Sequence, residues 1–331
     1  MKKLINKAED VVREALEGFT GAYSKKLMLH DEVNGVLLRE PRKEKVTLVI
    51  GGGSGHEPMF SGFVGKGLAD AAACGNVFAS PDPNTIYETA TSVHGGKGIL
   101  LVYGCYAGDN LNFDLAEEIL AEDGIKTAHV RVSDDCASAP LENMYERRGI
   151  AGDVFVVKIA GAACDAGLSL EDVTKVTERA RDNTRSIGIA LSPGYLPGST
   201  EPTFVLADDE IEYGMGLHGE PGIKRAKMCS ADEMTDVLYE NIMKDIGLKS
   251  GDEICVLING LGSTTLLEMG IVYRHLQQRL TNDGIVIYDA DLNSYCTCQE
   301  MGGLSITFLK LDDELKKLYS APCSGPYYTK E

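Results

Sequence analysis

Three short apolar runs in this chain each end on a cluster of glycines, and these junctions constrain the fold more than any other feature. Val46–Ile50 leads into Gly51-Gly52-Gly53-Ser54-Gly55, Ile99–Tyr103 into Gly104-Cys105-Tyr106-Ala107-Gly108-Asp109, and Ile254–Ile258 into Asn259-Gly260-Leu261-Gly262. Short apolar runs bounded by turn residues predict buried strands. Ala128–Val132, Val154–Ile159 and Ile187–Leu191 read the same way, while Pro83–Val93, Asn112–Leu120 and Leu170–Ala180 between them read as helices. This alternation predicts a parallel or mostly parallel α/β sheet, because parallel neighbours need a crossover connection. Such sheets bind ligands beyond the carboxyl ends of their strands, where these glycines lie.

The flanking segments extend the pattern. Leu4, Ala8, Val11, Val12, Ala15 and Leu16 predict a helix over residues 4–18, stopped by Gly18. In the second half, Glu210–Gly214 leads into another glycine-rich loop. Ser230-Ala231-Asp232-Glu233 is a capping box that opens a helix to about Ile246. Thr264–Leu280 is a long amphipathic helix, and Ile285–Tyr288 and Leu304–Leu309 are further strands. The richest turn cluster, Ser192-Pro193-Gly194-Tyr195-Leu196-Pro197-Gly198-Ser199, marks a domain boundary. The expectation is two α/β domains, residues 1–190 and 191–331, each a mostly parallel or mixed sheet flanked by helices.

Charge and composition exclude several functions. A net charge of -18 argues against a nucleic-acid or anionic-membrane surface. There is no apolar run of transmembrane length, and the basic N-terminus lacks the apolar core of a signal peptide, so the chain is expected in the cytoplasm. The nine cysteines read as reduced, packed thiols. A metal at Cys296-Thr297-Cys298 would need two more ligands, and His275 is the only nearby imidazole, so no metal is expected there.

The chain has only six histidines, and two sit in loops stripped of neighbouring side chains. His218 lies in Gly214-Met215-Gly216-Leu217-His218-Gly219-Glu220-Pro221-Gly222, and His56 in Gly51-Gly52-Gly53-Ser54-Gly55-His56-Glu57-Pro58. Glycine lets a small molecule approach both backbone and ring. The two loops predict one site assembled from two regions. The first loop is neither a Walker loop, lacking Gly-Lys-Ser/Thr, nor a dinucleotide fingerprint, because Pro58 opposes a simple helix start. Asp109 reads either as a turn or N-cap aspartate or as a base at the mouth of its strand. His30, His94, His129 and His275 read as structural, and Glu57 and Glu220 as acceptors of loop amides.

Five segments together carry a family resemblance: Val-Ile-Gly-Gly-Gly-Ser-Gly-His-Glu-Pro (49–58), Val-Phe-Ala-Ser-Pro (77–81), Gly-Asp-Asn-Leu-Asn-Phe (108–113), Glu-Tyr-Gly-Met-Gly-Leu-His-Gly-Glu-Pro-Gly-Ile (212–223) and Asn-Gly-Leu-Gly (259–262). Over nearly its whole length the chain resembles the substrate-binding subunit of dihydroxyacetone kinases. The resemblance implies that His218 attacks the ketone carbonyl and holds the substrate as a covalent hemiaminal. It implies that His56 and Asp109 handle the proton of the hydroxyl that attacks phosphorus, and that groups of the Gly53-Ser54-Gly55 loop bind the sugar. A neutral imidazole adds to a ketone and not to an alcohol, which selects a ketose over glycerol by a bond.

The resemblance also implies a homodimer that works with a helical nucleotide-binding subunit. That partner carries either Mg-ATP or a Mg-ADP rephosphorylated by a phosphotransferase-system protein, and no cofactor or metal is expected on this chain. One departure stands out: Gly104 occupies the position of a family lysine expected to touch the substrate. Its loss predicts a roomier pocket and opens the alternative of a larger ketose such as erythrulose. A non-catalytic ketone-binding coactivator is the other alternative, but a sensor needs only His218, and the retained His56 and Asp109 favour the enzyme.

Overall fold

The computed structural model describes residues 2–331 and contains two six-stranded sheets. The first is built from β1 (Leu27–Leu29), β2 (Gly35–Leu38), β3 (Thr47–Ser54), β4 (Ala71–Val77), β5 (Ile99–Gly104) and β6 (Thr127–Val132), in the order β1-β2-β4-β3-β5-β6. The pairs β3–β4, β3–β5 and β5–β6 are parallel, while β1–β2 and β2–β4 are antiparallel. Helices α1 (Val11–Ala22), α2 (Pro83–Val93), α3 (Ala107–Glu122), α4 (Asp153–Asp165) and α5 (Leu170–Asp182) belong to this half. Both faces of its central strands are covered. Val49 and Leu101 pack with Ile86 of α2 and Phe113 of α3, whereas Leu48, Ile50 and Val102 face the opposite layer with Phe155 of α4. Burial on two sides is why these strands read as unbroken apolar runs.

The second sheet contains β7 (Thr184–Ser192), β8 (Glu210–Tyr213), β9 (Lys224–Lys227), β10 (Glu253–Gly260), β11 (Val286–Asn293) and β12 (Gly302–Lys310), in the order β11-β10-β12-β7-β8-β9. Only β10–β11 is a parallel pair; the other pairs are antiparallel. This half is therefore mixed and not mostly parallel. Helices α6 (Ala231–Ile246) and α7 (Leu266–Asn282) cover one face, with Met234 and Leu276 packed on Val256, Ile306 and Phe308. Alternate residues of the same strands, Cys255, Leu257 and Leu309, turn the other way. They join one apolar cluster with α4, with α8 (Asp313–Tyr319) and with the first sheet. The two halves thus share a core, and a cut between residues 190 and 191 falls inside β7.

Two local expectations are corrected. Val154–Ile159 is not a strand but the first half of α4, which is buried from Asp153 through Cys164. A helix packed on all sides has no polar stripe, so its apolar run lacks the 3.6-residue period that separates helix from strand. Phe155 sits in this layer, and truncating it to alanine would cost about 3–5 kcal/mol. The N-terminal helix begins at Val11 and runs through Gly18 to Ala22, burying Val12, Leu16 and Thr20, while Leu4 is fully exposed. Strand β4, Ala-Ala-Ala-Cys-Gly-Asn-Val, was not anticipated, because small residues carry little β signal of their own. The expected Ser230 capping box forms, and Thr265 makes a second one with Glu268 at the start of α7. No helix of the described residues is long and apolar enough to cross a membrane.

Candidate functional site

The parallel strands β3, β4 and β5 deliver the site residues at their carboxyl ends. His56 follows β3, Phe78 follows β4, and Asp109 lies in the first turn of α3 after β5. Asp109 is therefore neither the N-cap, which is Tyr106, nor part of a free loop. The second half contributes His218 from the loop after β8 and Cys296 from the segment after β11, and these groups together line one narrow cavity. Its volume is about 30 Å³, room for roughly two waters. Gly53 and Gly104 line it, with Phe60, Tyr106, Asp153 and Leu217.

The glycines of the first loop serve close packing. A Cβ on Gly53 would lie 2.8 Å from the Ala79 amide nitrogen, and one on Gly52 would strike the Phe60 ring. Gly55 takes φ +100°, open to glycine at no steric cost, and its amide donates to both Glu57 carboxylate oxygens at 3.0 Å. Ser54 and Gly55 are not in the histidine cavity. The Ser54 hydroxyl donates to the Gly75 carbonyl at 2.7 Å, and both residues border a separate apolar groove with Val11, Phe19, Pro58 and Tyr327. Of the loop residues expected to bind substrate, Gly53 lines the histidine cavity and Ser54 and Gly55 do not.

The two imidazoles meet. His56 Nε2 lies 3.0 Å from His218 Nε2. His56 Nδ1 is 2.7 Å from the Thr297 carbonyl, which only accepts, so Nδ1 carries the proton and donates. His218 Nδ1 is 3.2 Å from Glu220 Oε1, and the other Glu220 oxygen accepts from the His218 amide at 2.9 Å. With each Nδ1–H already committed to an acceptor, two neutral rings would set lone pair against lone pair at 3.0 Å. The contact therefore calls for a proton on one of the two Nε2 atoms. Burial pushes the Glu220 carboxyl up, but the hydrogen bond and charge of His218 outweigh this and hold it down at about 2. Burial, then the neighbouring His218, lowers His56 to about 3, so His56 gives up such a proton readily. Phe78 stacks on His56 at 5.0 Å and tilts against His218 at 5.0 Å, and its own φ of +58° is a strained setting for an aromatic residue.

Three polar atoms around the cavity are buried with no partner: Tyr106 Oη, Asp109 Oδ1 and Asp153 Oδ1. Burial raises Asp109 to about 6, partly offset by Ser80 and His218. That value suits a base that works near neutrality. A Cβ on Gly104 would make ordinary contact with the Tyr106 ring at 3.4 Å, so that ring bounds the space beside Gly104. Tyr106 also presents its ring edge-on to His218 at 5.1 Å.

The remaining candidates lie elsewhere. Asp114, Glu117 and His129 bring ligating atoms within 4.8 Å of one another, but the Arg131 guanidinium already holds both Asp114 oxygens, at 2.6 and 2.7 Å. His275 is bound to Asp236 at 2.7 Å. Burial pushes the Cys296 thiol well up and the Cys298 thiol to about 12, and Cys298 Sγ donates to the Leu217 carbonyl. The residues the sequence reading missed are Phe78, Tyr106, Asp153 and the ring contact of Glu220. Phe78, Tyr106 and Glu220 lie inside segments the sequence already marks, Val-Phe-Ala-Ser-Pro, the Gly104–Asp109 junction and the His218 loop, whereas Asp153 has no such signal.

Comparison with known proteins adds an independent line. A family model described as the Dak1 domain matches residues 17–327. The PTS-dependent dihydroxyacetone kinase 2, dihydroxyacetone-binding subunit DhaK, of Listeria innocua serovar 6a is 42% identical over 330 residues, 99% of each chain. The L-erythrulose kinase of Pectobacterium atrosepticum is 40% identical over the whole of this chain, which spans 56% of that protein. The crystal structure of the dihydroxyacetone kinase from C. freundii in complex with AMP-PNP and Mg2+ superposes with a TM-score of 0.92 at 30% identity, covering 99% of this chain and 61% of that one.

Proposed function

This chain belongs to the Dak1 domain family, and on that premise we propose that it is the substrate-binding subunit of a short-ketose kinase, with dihydroxyacetone as substrate. The observation that carries this reading is the 3.0 Å contact between His56 and His218, with Glu220 behind His218. A ketone that enters between the rings meets a nucleophile and a proton donor together. With that proton on His56 Nε2, the His218 Nε2 lone pair bonds to the carbonyl carbon, and the carbonyl π pair moves to oxygen. The proton then passes from His56 Nε2 to that oxygen. The product is a carbinolamine on a ring whose positive charge faces the Glu220 carboxylate. An alcohol lacks the carbon that accepts this bond, so glycerol is refused. Asp109, poised near neutrality, then takes the proton of the terminal hydroxyl as its oxygen attacks phosphorus.

The phosphoryl donor in this proposal is a nucleotide on a separate subunit, Mg-ATP or a Mg-ADP recharged by a phosphotransferase system. The end-to-end match to a PTS-dependent subunit supports it, as does the C. freundii chain, whose AMP-PNP complex extends well beyond the matched part. A helical partner, a homodimer and a cytoplasmic location belong to the same proposal. Erythrulose is the second reading, favoured by Gly104 and by the L-erythrulose kinase relative. The narrow cavity and the Tyr106 ring beside Gly104 weigh towards the three-carbon ketose.

Dihydroxyacetone labelled with carbon-13 at the carbonyl tests the covalent step. At saturation the ketone resonance should be replaced by that of a tetrahedral carbon, and His218→Ala should abolish the change. A ketone resonance that persists in the saturated complex refutes the covalent step.

A further inference from the structure

Asp153 opens α4 inside the cavity, and no hydrogen bond or ion pair of the described residues uses its side chain. The residue is 3% exposed, and its Oδ1 is fully buried without a partner. It does not serve as the helix cap, since that position is Gly152. The neighbouring Asp134 does have structural work, accepting the Ile150 and Gly152 amides at 2.8 Å each. An isolated carboxylate in such a place is prohibitively costly, and even a neutral carboxyl leaves a donor and an acceptor unsatisfied. Burial, then the charges of Asp134 and Asp109, push Asp153 well above the usual carboxylate range. It is therefore an acid that keeps its proton beside Asp109, which loses its own near neutrality. Two carboxyl groups of one cavity are thereby driven into different roles.

We propose that Asp153 is a substrate-contacting residue, whose carboxyl hydrogen-bonds the hydroxymethyl group of the ketose that Asp109 does not handle. This rests on the ketose reading of the site. Two features beside the helix position support it. Gly104 contributes no side chain to the cavity, so another group must satisfy the second hydroxyl. Asp153 and Tyr106 carry the orphaned polar atoms that remain once Asp109 is assigned. A hydroxyl both donates and accepts, so it matches a neutral carboxyl, whereas a methyl in its place leaves the carboxyl unpaired. Asp153 would thus set the preference for a dihydroxylated ketone.

The test measures affinity for dihydroxyacetone and for hydroxyacetone, which has a methyl group in place of one hydroxymethyl, in the wild type, Asp153→Asn and Asp153→Ala. The wild type should favour dihydroxyacetone, and Asp153→Ala should shrink that ratio about tenfold, one hydrogen bond's worth. Asp153→Asn keeps a donor and an acceptor at the same place, so it should retain most of the ratio. Because Asp153 has no protein partner to lose, both variants should melt at or above the wild-type temperature. An unchanged ratio in Asp153→Ala overturns the proposal, and a lowered melting temperature with that unchanged ratio assigns Asp153 to the scaffold instead. If the wild type forms an adduct with neither ketone, the ketose reading itself fails, a result distinct from both.

Discussion

Replacing Glu220 with glutamine probes the electrostatics of the covalent step with almost no change of shape. The Glu220 carboxylate accepts from the His218 amide at 2.9 Å and faces Nδ1 at 3.2 Å. In the adduct that ring is an imidazolium, so the pair is a charge-assisted hydrogen bond worth about 1.5–3 kcal/mol. The lowering of Glu220 to about 2 implies roughly 3 kcal/mol at face value. Its side chain is 34% exposed, so solvent screening brings this to about 1.5 kcal/mol. Glutamine keeps an acceptor for one of the two donors and loses the charge. Dihydroxyacetone should therefore bind about tenfold more weakly to Glu220→Gln, since 1.4 kcal/mol is a factor of ten. Titration calorimetry gives the constant, and carbonyl carbon-13 spectra report whether the bound form is still tetrahedral. The sign of the pH effect follows as well. Glu220 titrates lower when folded than unfolded, so its contribution to stability is present above about 4.5 and lost as the pH falls through about 2. If Glu220→Gln binds dihydroxyacetone as tightly as the wild type does, the counter-charge argument is wrong.

Asp109→Asn should keep the adduct and lower kcat by about 10²–10⁴-fold; unchanged turnover would remove Asp109 from the proton transfer. In the wild type kcat should rise with pH through about 6, as Asp109 loses its proton. The raised Asp109 carboxyl costs stability only where it is ionised, so Asp109→Asn should melt higher than the wild type above about pH 6 and equally below about pH 4, in paired thermal scans. His56→Ala leaves the carbonyl oxygen without its donor and should weaken adduct formation while preserving the fold; tetrahedral adduct at wild-type affinity would contradict that role. With a nucleotide-binding partner supplied, kcat/KM should favour dihydroxyacetone over erythrulose, because the Tyr106 ring bounds the Gly104 side, and a clear preference for erythrulose would show that Tyr106 yields.

The sequence by itself determined the strands that end in glycine, the capped helix α6, the amphipathic helix α7, and the two histidines to watch. Each is a local matter: a β-branched run, a Ser-x-x-Glu box, or a loop too crowded by backbone to hold a side chain, as at Gly53 against Ala79. Tertiary structure alone decided what lacks a local signature. Val154–Ile159 became helix because both sheets press on α4, and burial on every side erases the period that marks a helix. Ser54 and Gly55 turned to the far side of their own loop, because the Ser54 hydroxyl is bound to Gly75 across the β3–β4 pair. His56 and His218 are 162 residues apart, and only the packing of one half on the other brings Nε2 to Nε2. Phe78, Tyr106 and Asp153 joined them from three different elements. The reason is the same throughout: a side chain's chemistry depends on its neighbours in space, and the chain order of this protein does not state who they are.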